Sequence, residues 1–110
     1  MKVLDLIDKY YPQDNELKHI LNVHSRSVAD KALWIAGKHP ELNLDTVFLE
    51  EAAMLHDIGI FLTHAPGIQC FGTEPYICHG YLGAGLVRKE GFPRHALVCE
   101  RQPHGFGILQ

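Results

Sequence analysis

The chain has no apolar run approaching the roughly 18 residues that a membrane helix needs. Its amino terminus, MKVLDLIDKYY, carries acids where a secretory signal would hold an uninterrupted apolar stretch. The expectation is a cytoplasmic protein without a membrane partner. An excess of positive charge is missing too: 10 lysines and arginines stand against 13 acids, for a formal net charge of -3, and the basic residues are scattered. That leaves no electrostatic footprint for a nucleic-acid duplex. Cysteines are few, and the spacing of Cys70, Cys78 and Cys99 matches neither a C-x-x-C redox motif nor a zinc knuckle. Reduced thiols serving as small core residues are expected. Strand-like alternation, internal repeats and low-complexity tracts are absent as well, so the fold class reads as all-α.

What is present fits one soluble globular domain spanning residues 1 to 110, with 46% hydrophobic and 21% charged residues and room for a single core. From Asn15 to Lys38 the residues Leu17, Ile20, Leu21, His24, Val28, Ala32 and Ile35 recur at spacings of three and four, which predicts an amphipathic helix with His24 facing inward. Gly37, His39 and Pro40 end it. Asp45 can cap a second helix that runs through Phe48, Leu49, Ala52, Ala53, Leu55 and His56 and stops near Gly59. Residues 60 to 76, interrupted by Pro66, Gly67, Gly72 and Pro75, read as a long loop. Loops of that length in small domains are often functional.

A third helix is expected over Tyr76 to Glu90, where Gly80, Gly83, Ala84 and Gly85 would let another backbone approach closely. Gly91 ends it, and Pro93 opens a further helix through Cys99. With a short amphipathic helix at residues 2 to 11, the prediction is a compact bundle of about five helices. Trp34 and the pair Tyr10 and Tyr11 read as packing residues. The tail QPHGFGILQ carries Phe106, Ile108 and Leu109 and would either fray or dock on the domain or on a partner, and a homodimer is among the expectations.

Eight histidines are the conspicuous excess, and neutral imidazole is a common metal ligand. The stretch EEAAMLHDIGIF, residues 50 to 61, places His56 and Asp57 directly after an apolar run. Burying two polar groups there is costly unless something binds them. Adjacent helical residues point about 100 degrees apart, so the two converge only if both face a common cavity. A divalent cation makes that arrangement sensible, because it compensates the carboxylate while the ring supplies a neutral nitrogen. His24 alone reads as a core histidine bonded to a nearby carbonyl; with the doublet it becomes the natural third ligand. His19, His39, His64 and His95 read as surface or loop residues, with His64 the one nearest a site. Glu50 and Glu51 read as a solvated helix face or as support for the metal shell.

Taken together, NVHSRSVADKALWIA, LHDIG, ICHGYLGAGLVRKEGF and ALVCER resemble the HD-domain superfamily of metal-dependent phosphohydrolases, in its small HDIG-type branch. The likeness covers residues 15 to 104. It implies metal ligation by His24, His56 and Asp57, with His79 resembling the first extra histidine of two-metal branches and His104 standing for the second. The cofactor would be one or two divalent ions (Fe, Mn, Mg, Ni or Zn). Asp57 would also act in catalysis by orienting the attacking hydroxide. Arg88, Lys89, Arg94 and Arg101 are the only lysines or arginines after Asp57, and three of them, Arg88, Lys89 and Arg101, are the candidates for holding a substrate phosphate.

Two departures stand out. Ile60 occupies the place where many relatives carry lysine, and no aspartate follows Asp57. The family's closing aspartate ligand therefore has no counterpart, which implies a truncated or altered domain, or a site completed by water, an anion or another chain. The activity implied is hydrolysis of a nucleotide or other small phosphate ester. The alternative is a catalytically incomplete module that binds or senses a metal or nucleotide.

Overall fold

The computed structural model describes residues 2–101. Helix α1 (Lys2–Tyr10) buries Val3, Leu6 and Ile7, the i, i+3, i+4 set of its amphipathic face. Helix α2 (Glu16–Lys38) begins where Asn15 accepts a hydrogen bond from the Lys18 backbone N–H at 3.0 Å, and it buries Leu21, Ser25 and Ala29. Asp45 caps α3 (Thr46–Leu55) in the same way, through the Phe48 N–H at 3.0 Å. Four consecutive residues, Ala52 to Leu55, are buried near the end of α3, so this helix is enclosed on several sides where it approaches the His-Asp doublet. Helices α4 (His79–Lys89) and α5 (Pro93–Glu100) complete the set, Pro93 standing in the first turn of α5 where its missing N–H costs nothing.

Helix α2 lies along α3, and α4 along both α5 and the turn that follows the doublet. Leu21, Leu55, Ile58, Ile60 and Val87 are fully enclosed between them. Polar ties pin the periphery. Arg26 of α2 reaches Glu50 of α3 at 2.7 Å, and Glu90, just past α4, receives both the Lys9 ammonium and the Tyr10 hydroxyl of α1 at 2.7 Å. No helix among the described residues is long and apolar enough to cross a membrane.

Five helices form where the sequence predicts them, with α3 ending at Leu55, short of the expected stop near Gly59; the segment between α3 and α4 departs further from expectation. In place of an irregular loop it forms a 3₁₀ turn (Ile58–Leu62) and a three-stranded sheet of order β2-β1-β3. Strand β1 (Thr63–Ala65) pairs antiparallel with β2 (Cys70–Phe71) and parallel with β3 (Glu74–Pro75). Strands this short show no alternation that a sequence pattern could carry. Tyr76–Cys78 is a further 3₁₀ turn, so α4 itself starts at His79, three residues later than expected.

Backbone contact rather than periodicity holds this segment. Gly59 lies so close to the His79 carbonyl and the Gly83 backbone that a Cβ there would collide with both, and Gly72 is seated equally tightly on Leu62 and Thr63. Gly83 is thus the small residue of α4 that admits another backbone, and Gly59 is the residue admitted. Tyr11 adds a clamp from the other side: its hydroxyl donates to the Ile58 carbonyl at 2.7 Å and accepts from the Phe61 N–H at 3.3 Å. Trp34, expected in packing, is instead 64% exposed with Lys38 over its ring. Cys70 and Cys99 are buried thiols, whereas Cys78 is half-buried.

Candidate metal centre

Three elements bring four polar side chains together. His24 projects from the middle of α2; His56 is the C-cap of α3 and Asp57 the residue that opens the 3₁₀ turn; His79 is the first residue of α4. The Asp57 carboxylate is fully buried at their centre. Its Oδ2 lies 3.2 Å from His24 Nε2 and 3.3 Å from His56 Nε2, and its Oδ1 lies 2.9 Å from His79 Nε2. One ligand atom each from His24, His56 and Asp57 falls within 4.8 Å of the others, a grouping that can hold a metal ion.

Backbone carbonyls orient two of the rings. His56 Nδ1 faces the Ala53 carbonyl and His79 Nδ1 faces the Tyr76 carbonyl at 2.8 Å, each three residues upstream. A carbonyl only accepts, so both Nδ1 atoms carry the proton, and in a neutral ring the Nε2 lone pair is then turned toward Asp57. Neutral rings would meet the carboxylate acceptor to acceptor. A proton on the rings or a cation among them resolves that conflict. His24 Nε2 and Asp57 Oδ2 are buried without a hydrogen bond of adequate geometry, as donors kept for an ion would be.

The electrostatics follow from this enclosure. Burial on its own would raise the Asp57 pKa, but hydrogen bonding and charge from His56 and His79 outweigh it and hold the carboxyl well below the usual carboxylate range. Burial would lower the His56 pKa, yet contact with Asp57 and the Ala53 carbonyl leaves it raised. His24 goes the other way: desolvation, with repulsion from His56, lowers it despite the attraction of Asp57. The carboxylate is therefore a fixed anion, and His24 prefers the neutral form that a metal requires.

The other candidates lie apart from this centre or outside the described residues. Arg88 pairs with Glu100 at 3.3 Å, and Lys89 is exposed in the last turn of α4. Arg94 stacks 3.8 Å from the Phe48 ring centroid and pairs with Asp45 at 3.6 Å. His104 is outside the described residues. Arg101 does share a surface with the centre: an apolar groove of about 360 Å³ between α2, α3 and α5 is lined by both His56 and Arg101. His64 is exposed on β1. Glu50 is occupied by Arg26, and Glu51 by His95 at 3.2 Å. His95, read as a surface residue, is in fact half-buried between Phe48 and Phe92.

Sequence reasoning missed Tyr76, whose ring lies 4.5 Å from the His79 ring and whose carbonyl sets that ring's tautomer. The available signal was the three-residue interval before each histidine, Ala53 to His56 and Tyr76 to His79.

No curated protein and no solved structure matches the chain. The family model for the HD domain does match, over residues 22–104, an interval that contains His24, the doublet and His79. A histidine from one helix, a His-Asp doublet at the end of the next and this match covering most of the sequence lead to one assignment: the chain belongs to the HD-domain family.

Proposed function

We propose that the protein is a metal-dependent phosphohydrolase acting on a nucleotide or another small phosphate ester. The observation that carries this reading is the convergence of His24, His56 and His79 on the buried Asp57 carboxylate, at 2.9 to 3.3 Å, with the His56 and His79 lone pairs directed inward by backbone carbonyls. His24, His56 and Asp57 would hold a divalent ion, with His79 adjoining on the second carboxylate oxygen. Bound there, such an ion supplies Lewis acidity toward phosphoryl oxygens and a bound water whose pKa falls toward neutrality.

The chain's own residues do the rest. Asp57, fixed as an anion, balances the charge of the ion and offers a carboxylate oxygen to orient the attacking water. His79, when protonated, would donate from Nε2 to Asp57 Oδ1 and so set the plane of the carboxylate. The apolar shell from Ala52 to Leu55 with Ile58 and Ile60 excludes bulk water and strengthens every charge interaction inside it. Arg101, exposed and on a groove shared with His56, is the cation best placed to hold a substrate phosphate.

A second reading, a module that binds or senses a metal or nucleotide without turnover, draws support from the absence of aspartate within residues 58–110. One experiment separates the two. Metal content is measured for the wild type, His56→Ala and Asp57→Ala, followed by a phosphoester screen with added manganese, iron, nickel, magnesium or zinc. Metal-dependent hydrolysis lost in both variants is the outcome expected. Stoichiometric metal without hydrolysis of any ester favours the binding module, and absence of metal under every loading condition defeats both readings.

A further inference from the structure

The groove that His56 and Arg101 share has a chemistry of its own. Its walls are Val28 and Ala32 of α2, Phe48, Leu49 and Ala52 of α3, and Val98 of α5. Their side chains are all apolar, and all six residues lie within helices, which pair most of their backbone N–H and C=O groups internally. Among the described residues, the only polar side chains on the groove are those of His56, which is buried, and Arg101, which is exposed. Its volume, about 360 Å³, lies in the lower part of the range of small-molecule sites. Resting on the phosphohydrolase reading above, we infer that the site takes phosphate esters whose organic part is an aryl or short alkyl group, seated in the α2–α3–α5 groove with Arg101 on the phosphate.

The reasoning is one of desolvation. A sugar entering these walls gives up hydrogen bonds to water and finds few in return, so each unsatisfied hydroxyl weakens its binding. A nucleobase meets the same problem along its polar edges. A phenyl or alkyl group surrenders nothing of this kind and gains burial against Phe48, Leu49 and Val98. The single positive charge on the lining matches the one charged part of such an ester. His56 belongs to both the groove and the candidate metal centre, so an ester seated in the groove lies beside one residue of that centre.

Two measurements on the full chain test this. The first compares kcat/KM for phenyl phosphate, hexyl phosphate, glycerol phosphate and glucose phosphate at saturating manganese, in the wild type and in Ala32→Trp and Val98→Glu. Aryl and alkyl esters should be preferred by about tenfold or more, and the two variants should reduce that preference by about tenfold. The second follows binding of phenylphosphonate by chemical-shift perturbation, with and without metal. The expected result is saturable binding that shifts Val28, Leu49 and Val98 and weakens in both variants, with Arg101→Gln weakening it further. Equal rates on all four esters, or phenylphosphonate binding that leaves these residues unmoved, overturns the inference even if hydrolysis is strong. If no ester is hydrolysed, the phosphohydrolase reading fails, and the binding measurement alone decides whether the groove recognises such ligands. Val98 is 39% exposed, so its variant should keep the native fold if Ala32→Trp does not.

Discussion

Residues 16 to 55 and residues 56 to 79 are built on opposite plans. The first region is built on two helices, α2 and α3, each started by a side-chain cap, α2 buried at positions four apart (Leu21, Ser25, Ala29) and α3 through the run Ala52 to Leu55. The second has 3₁₀ turns, a sheet of three very short strands and a backbone-to-backbone contact at Gly59, clamped by the Tyr11 hydroxyl. Three of the four polar side chains of the metal centre, His56, Asp57 and His79, come from the second region, and only His24 comes from the first. Periodic packing is redundant, since each contact is one of many. The irregular segment rests on a few contacts that have no substitute, and that is the kind of support that fixes donor atoms to within a few tenths of an ångström.

If this contrast is right, substitutions in the two regions should differ in size and even in sign. The largest effect belongs to Asp57→Asn, which removes the anion around which three imidazoles are gathered. Affinity for manganese or iron should fall by about 100-fold or more, measured by competition with a fluorescent chelator. An unchanged affinity would separate the carboxylate from the site. Next comes Gly59→Ala, where a Cβ must displace the backbone of α4; denaturant unfolding should show a loss of about 3 kcal/mol. Tyr11→Phe removes one donor and one acceptor from the clamp and should cost about 1 to 2 kcal/mol. At the small end, Gly37→Ala in the last turn of α2, where nothing lies within 4 Å of the new atom, should stabilise by about 0.5 to 1 kcal/mol. A destabilising Gly37→Ala, or a harmless Gly59→Ala, would break the comparison.

The pH dependence sharpens it from the side of charge. Asp57 is depressed in the folded chain, so its stabilising contribution is present above the ordinary carboxyl value near 4 and is lost as pH falls through the depressed one. His56 is raised, so its contribution is complete below the ordinary imidazole value near 6.5 and is lost as pH rises through the raised one. Between them, these two groups make the metal-free protein most stable from about pH 4 to 6.5. A metal displaces the His56 proton, so metal affinity should climb as pH rises through the raised His56 value, by up to about tenfold per unit for one proton released. Calorimetric melting with and without metal, from pH 5 to 8, reads both trends; parallel curves would show that no proton is exchanged.

The same contrast governs what the sequence disclosed. The helices were legible because their information is local: Asn15 and Asp45 at the caps, Pro93 at a first turn, and apolar spacings of three and four. His24, His56 and Asp57 were legible as a motif, and the geometry draws them together with His79. The sheet over residues 63 to 75 was not, because two or three paired residues leave no period to detect, and its strands meet through partners up to 11 positions apart. Trp34 and His95 were misread for a related reason. Whether a side chain is covered depends on neighbouring elements, and for His95 those are Phe48 and Glu51, more than forty residues upstream.

The meeting of Gly59 with Gly83 and the His79 carbonyl has a mechanical consequence. It fuses the doublet and His79 into one stiff body, because neither α4 nor the 3₁₀ turn can shift without driving backbone into backbone. His24, carried by α2, stands outside that backbone contact. The candidate metal centre thus draws three of its four polar side chains from a single stiff unit.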